Sequence, residues 1–176
     1  MRRHIYLGGI KHSGKTSIGE RLSARLSLPF YDLDDLILKR IPSRCTIRSF
    51  YAIYGKKLFQ LAELLSLQQL LPTPGGAAVI SLGGGACDNE PLMKLVKQSG
   101  RLIYLKVDEE TLWQRIEAGG TPAFLDGDDP RASFSAVYEE RHARYSLMCD
   151  LLIDLSDGLS LEQATDRVVA RLGLEE

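Results

Sequence analysis

Along the chain, short uninterrupted apolar runs alternate with stretches in which apolar residues recur every three or four positions. HIYLG at His4–Gly8, FYD at Phe30–Asp32, AVISL at Ala78–Leu82, LIYLKV at Leu102–Val107 and LLIDL at Leu151–Leu155 read as buried strands. Between them, Ile18, Leu22 and Leu26 make one helical stripe. Phe134, Val137, Tyr138, Arg141, Tyr145 and Met148 make a second, and Leu161, Ala164, Val168 and Leu172 a third. This alternation predicts an α/β fold in three layers, a doubly wound, five-stranded parallel sheet with helices on both faces. No repeat, linker or low-complexity tract interrupts it, so residues 1–176 are read as one domain. Gly75–Gly76 in PTPGG reads as a turn before the third strand. One stretch stands apart. AGGTPAFLDGDDP, Ala118–Pro130, has the Gly, Pro and Asp content of a loop and carries Asp126, Asp128 and Asp129 with no Lys or Arg. It lies between two helices, an excursion the sheet does not require, and loops of that length are often functional.

Composition narrows the function classes. Lys plus Arg is 22 and Asp plus Glu is 23, which argues against a general nucleic-acid binder. No apolar run approaches the roughly 18 residues that span a bilayer, and the apolar stretch in MRRHIYLGG is too short for a signal-peptide core. Cys45, Cys87 and Cys149 match no metal-ligand spacing and read as free thiols in a reducing cytoplasm. The expected partner is therefore a small-molecule substrate, with no nucleic acid and no membrane. A monomer is expected because no apolar stripe is left over once the fold is built.

The strongest chemical signal is Gly9-Ile10-Lys11-His12-Ser13-Gly14-Lys15-Thr16, which fits G-x-x-x-x-G-K-[ST] between a strand and a helix. Its glycines let backbone N–H groups converge on phosphates, and the helix N-terminus adds partial positive charge. Lys15 is expected to reach the β- and γ-phosphates of ATP, and the Thr16 hydroxyl to ligate Mg²⁺. Lys11 and His12 are unusual occupants of such a loop, either adding charge near the nucleotide or simply exposed.

Asp32-Leu33-Asp34 follows the second strand. Ligands of open parallel sheets bind beyond the carboxyl ends of strands, and residues two apart in an extended segment point to the same side. Asp32 and Asp34 are thus both expected to face the γ-phosphate, one holding metal through water and the other accepting a proton from an attacking hydroxyl. The alternative is that one of them caps a helix beginning near Asp35. Three glycines in SLGGGA, Ser81–Ala86, allow close backbone approach to a ligand.

Over nearly its whole length the chain resembles the shikimate kinase family of P-loop, nucleoside monophosphate kinase-like proteins. The resemblance rests on the phosphate loop with GKT, FYDLDDLI, the FxxxYGxxxFxxxE pattern (Phe50, Tyr54, Gly55, Phe59, Glu63), VISLGGGA, YEERHARY and DLLIDLSDGLS. It implies transfer of the ATP γ-phosphate to the 3-hydroxyl of shikimate with Mg²⁺, in aromatic amino-acid biosynthesis. By position it implies an ATP site over Gly9, Lys11, His12, Ser13, Gly14, Lys15, Thr16 and Ser17, with Arg115 on the adenine. It implies Mg²⁺ at Thr16 and, through water, at Asp32. Lys15 and Asp34 become the catalytic residues, Asp34 as the base. Asp34, Gln60, Gly83, Gly84, Gly85 and Arg141 become the acceptor site, with Arg141 gripping the substrate carboxylate. The substrate-binding helices fall at about residues 33–71 and the mobile lid at about 118–130.

Two departures qualify this. The family usually reads F-R-x-x-E where this chain has Phe59-Gln60-Leu61-Ala62-Glu63. Gln60 offers a hydrogen bond but no charge and no guanidinium fork. A charge-assisted hydrogen bond contributes about 1.5–3 kcal/mol, so carboxylate binding is expected to weaken by roughly ten- to a hundredfold. The lid, usually written R-P-L-L, here begins at Thr121-Pro122-Ala123 and lacks the arginine that covers the γ-phosphate, a kind of charge worth ~10³–10⁵ in rate in related enzymes. Lys11 and Arg131 are candidate replacements, with Arg44 and Arg48 one helical turn apart near the substrate lid, but Arg131, Arg44 and Arg48 read rather as solvated surface cations. Three readings stay open: a shikimate kinase with weakened substrate binding, a kinase of another small hydroxylated metabolite, and a non-catalytic nucleotide-binding relative.

Overall fold

The computed structural model describes residues 4–41, 45–71, 76–119, 129–156 and 158–173. Five parallel strands form one sheet in the order β2-β3-β1-β4-β5: β1 His4–Gly8, β2 Phe30–Asp32, β3 Val79–Ser81, β4 Gly100–Lys106 and β5 Leu151–Asp154. The expected three-layer, doubly wound architecture is what forms. Alternate residues of a strand feed opposite layers. Ile5 and Leu7 pack on one face with Ile18, Leu22, Ile103, Leu105 and Val168, while Tyr6 packs on the other with Leu67, Ile80, Leu102 and Tyr104. Burial on both faces is why these strands read as continuous apolar runs.

Seven α-helices are described: α1 Lys15–Leu26, α2 Leu33–Leu38, α3 Ile47–Leu70, α4 Glu90–Ser99, α5 Glu109–Gly119, α6 Pro130–Met148 and α7 Leu161–Leu172. Local chemistry sets their ends. Thr46 and Ser49 form a capping box on α3, and Ser160 and Gln163 another on α7. Asp129 caps α6 by accepting from the Ala132 N–H, and Pro130 occupies its first turn. One of the three loop aspartates therefore has a structural task. Inside α3, Gly55 adopts φ 76°, ψ 174°, a left-handed conformation that breaks the helix and favours glycine.

The expectation that no apolar stripe is left over does not hold on α3, where Ile53, Tyr54, Leu58, Leu61 and Leu65 are exposed. Sequence periodicity marks an apolar face but not whether another element covers it. No helix among the described residues is long and apolar enough to cross a membrane. Cys45, Cys87 and Cys149 are free thiols.

Candidate active site

The first three strands in spatial order, β2, β3 and β1, end at Asp32, Ser81 and Gly8. Beyond them opens a cleft of about 550 Å³, lined among others by Lys11, His12, Lys15, Thr16, Asp32, Asp34, Gln60, Glu63, Gly83–Gly85 and Arg141. A second, smaller cleft is bounded by Ser13, Gly14, Ser17, Arg115, Leu155, Leu159 and Leu161. Every residue expected at the site thus borders one of these two clefts, except Gly9, which lies at the root of the loop.

The loop turns on Gly14, which precedes α1 at φ 88°, and on His12 at φ 67°. Gly9 is required for space: a Cβ there would stand 2.5 Å from Ser13 Oγ and 2.9 Å from the Leu105 carbonyl. Lys15 is buried, and its Nζ donates to the carbonyls of Gly9 (2.9 Å) and Ile10 (3.0 Å). An ammonium whose closest partners are neutral carbonyls loses hydration without gaining a counter-charge. Burial accordingly lowers the Lys15 pKa to about 8, against the pull of Asp34 and Asp32. Arg115 donates from Nη1 to the His12 carbonyl at 2.9 Å, which places the arginine between the loop and the second cleft. The leucines of that cleft carry no ligand signal in the sequence, because Leu155 reads as the end of a strand and Leu161 as part of a helical core stripe.

Asp32 caps the helix, the alternative reading of the pair, and also binds the phosphate loop. Its Oδ1 accepts the Asp34 N–H at 3.0 Å and caps α2, and its Oδ2 accepts from Thr16 Oγ1 at 2.8 Å. Its pairing with Asp34 has a different geometric origin from strand alternation, however. The helix begins at Leu33, not near Asp35, so Asp34 is already helical and strand alternation does not apply. The two carboxylates meet at the cleft because a cap and the second helical residue point across the same turn. Thr16 hydroxyl and Asp32 carboxylate make a pair of hard oxygens, a fit for Mg²⁺, which usually takes one or two protein oxygens and completes its shell with water and phosphate. Among the described residues no group of three or more His, Cys, Asp or Glu could hold a metal by itself.

Asp34 Oδ1 is buried with no hydrogen-bond partner, and so is Glu63 Oε1. Both face Gly83, where a Cβ would lie 3.2 Å from the first and 3.0 Å from the second. Burial, with Asp32 adding, pushes Asp34 up to about 6 in spite of Lys15. Burial likewise pushes Glu63 up to about 7, opposed by its hydrogen bond from Asn89. A buried acceptor without a partner is costly, so these two oxygens are the places in the cleft best suited to accept from a donor such as water or a hydroxyl. Gly84 and Gly85 are also tight: a Cβ at the first would stand 2.9 Å from Lys11 backbone N, and one at the second 2.8 Å from Arg141 Nη2.

The Glu63 shift is also a statement about stability. The unfolded chain loses this proton near the ordinary glutamate value of 4.5, whereas the folded protein keeps it to about 7. The contribution is complete below the lower value and is lost as pH rises through the upper one. Glu63→Gln should therefore flatten the fall of Tm between pH 4.5 and 7 and raise stability above pH 7 by on the order of a few kcal/mol. Thermal unfolding across that range checks it, and an unchanged slope would contradict it.

The candidate compensating cations separate. Lys11 lines the main cleft. Arg131 does not; it pairs with Glu109 (3.2 Å) and Glu110 (3.1 Å) and lies 5.2 Å from the centre of the Trp113 ring. Arg48 is exposed, as a surface cation would be, and also borders the cleft. Arg44 and the lid segment with Thr121 lie outside the described residues.

Comparison with known proteins agrees with this geometry. Residues 11–172 match the family model for shikimate kinase. A shikimate kinase of Ruegeria pomeroyi is 34% identical over 173 residues, covering 98% of this chain and 86% of that protein. One from Chlamydia pneumoniae is 34% identical over 175 residues, covering 96% and 98% respectively. The solved structure of shikimate kinase from Acinetobacter baumannii in complex with shikimate has a TM-score of 0.85 at 25% identity, over 99% of this chain and 96% of that one. A phosphate loop, paired aspartates and a glycine triplet around one cleft, with a family match over most of the length, lead to one assignment: the chain belongs to the shikimate kinase family, small-molecule kinases that phosphorylate an alcohol.

Proposed function

We propose that the protein transfers the γ-phosphoryl group of ATP to the 3-hydroxyl of shikimate, a step of aromatic amino-acid biosynthesis, in a reducing cytoplasm. The observation that carries this reading is the unpartnered Asp34 Oδ1, buried beside Gly83 in a cleft that also holds Lys15 and Arg141. Asp34 accepts the proton of the attacking hydroxyl as its oxygen bonds to the γ-phosphorus, and the bond to ADP breaks with its electron pair, and so its charge, going to the departing β-phosphate oxygen. Lys15 turns from the Gly9 and Ile10 carbonyls to the transferring phosphate and stabilises that charge. Mg²⁺ held at Thr16 and Asp32 neutralises phosphate charge when bound. Ser13, Gly14 and Ser17 border the nucleotide, and the adenine lies by Arg115 in the leucine-lined second cleft. Arg141 binds the acceptor carboxylate and the glycine triplet leaves room for the ring.

Gln60 favours a second reading, a kinase of a less anionic hydroxylated acceptor. Its Nε2 donates to the Asp88 carbonyl at 2.9 Å, a neutral contact where the family usually has arginine. A non-catalytic role is disfavoured, since a protein without chemistry gains nothing from an orphaned buried carboxylate. The readings separate by product: ³¹P and ¹H NMR after incubation with Mg-ATP and shikimate should show phosphate on the 3-oxygen. No new phosphoester, in protein that binds ATP, would remove the first reading. Gln60→Arg should lower KM for shikimate by about ten- to a hundredfold in steady-state assays, and an unchanged KM would count against a carboxylate at this position.

A further inference from the structure

The two side chains assigned to the acceptor carboxylate both end on one residue, Asp88. Arg141 donates to Asp88 Oδ2 through Nε (3.2 Å) and Nη2 (3.1 Å), and Gln60 reaches the Asp88 carbonyl. The ion pair is sheltered, with side chains 14% and 12% exposed, and Asp88 lines the main cleft. A second cation, Arg144 Nε, lies 3.9 Å from Asp88 Oδ1. Asp88 closes a short 3-10 turn, Ala86–Asp88, immediately after the glycine triplet. The next residue pins that turn: Asn89 Nδ2 donates to the Gln60 carbonyl (2.8 Å) and to Glu63 Oε2 (3.0 Å), and its Oδ1 accepts from the Leu92 N–H. The backbone thus delivers a carboxylate of the protein to the guanidinium that the acceptor's carboxylate would use.

We propose that Asp88 is a specificity-determining residue that opposes carboxylate-bearing acceptors by occupying Arg141. This rests on the assignment of Arg141 to the acceptor carboxylate. A guanidinium already paired attracts a second anion less, and the incoming carboxylate meets Asp88 as a like charge in a sheltered site. Gln60 brings no charge to offset this. Asp34 and Glu63 face the neighbouring glycine and add no attraction for an anion. The site therefore gains little binding from the acceptor's charge and relies on its hydroxyls.

Asp88→Asn tests this directly, because asparagine keeps the shape and can still accept a hydrogen bond from Arg141 while losing the charge. The variant should bind shikimate about tenfold or more tightly, in both KM and calorimetric Kd. Its KM for the uncharged methyl ester of shikimate should equal that of the wild-type protein. Equal or weaker shikimate binding in the variant, or an equal gain for the ester, would overturn the proposal. The wild-type protein gives a second reading that needs no variant. Acid and ester should differ in KM by less than about threefold, and an acid preferred more than about tenfold would also overturn it. If neither protein binds or phosphorylates shikimate, the functional reading falls and the Asp88 proposal with it. If the wild-type protein phosphorylates shikimate and Asp88→Asn binds it no better, the Asp88 proposal alone falls.

Discussion

Asp34→Asn is expected to lower kcat for shikimate phosphorylation by about 10²–10⁴-fold, the usual worth of a positioned general base. Asparagine nearly matches the shape of aspartate but cannot take the hydroxyl proton. The same change replaces a carboxylate whose ionisation is opposed by burial, so the variant should fold at least as stably as the parent above pH 6. Loss of activity with retained Tm is the signature. The pH profile gives an independent check. Only ionised Asp34 can accept a proton, and burial puts its titration at about 6. In the parent, kcat/KM should therefore rise with pH through about 6 and then level, and Asp34→Asn should remove that limb. A variant within threefold of the parent, or one that keeps the limb, would show that another group takes the proton.

Lys15→Met is expected to reduce kcat by roughly 10²–10³-fold, the scale for removing one preorganised stabiliser of transition-state charge, and to weaken ATP binding. Methionine retains much of the lysine stem's bulk, so packing survives while the ammonium is lost. In the free protein that ammonium sits among carbonyls with a pKa lowered to about 8. Because a depressed lysine is charged only below this value, the parent's affinity for ATP should decline as pH rises through about 8. A fluorescent nucleotide titrated from pH 6 to 9 would measure this. An affinity flat across that range, or unaltered in Lys15→Met, would place the phosphate charge on another group, such as Lys11, which shares the phosphate loop and lines the main cleft.

The sequence carried more of the fold than of the site's electrostatics. Strands of a sheet covered on both faces must be apolar throughout, so all five were legible, with differences only at the ends. The fourth begins at Gly100, ahead of the run Leu102–Val107, because Gly100 and Arg101 pair with His4 and Ile5 of β1. The phosphate loop was legible because backbone geometry dictates glycine there. Asp32 and Asp34 were legible as residues but not as a geometry, since the helix starts one residue after the strand ends. Asp88 left no signal at all. Its meaning comes from Arg141 on α6 and Gln60 on α3, brought together by folding, and a lone aspartate after a glycine-rich turn reads as solvated loop. The exposed apolar face of α3 was likewise illegible, since periodicity cannot say which face remains uncovered.

The missing arginines make substrate-dependent turnover the central question. The most direct measurement is ADP release, coupled to NADH oxidation, at saturating Mg-ATP with shikimate titrated into the millimolar range. The account predicts turnover that saturates with shikimate, with a high KM set by neutral Gln60 and by Asp88 on Arg141, and ADP release near background without acceptor. ADP release indifferent to shikimate, in a protein that binds ATP, would contradict it.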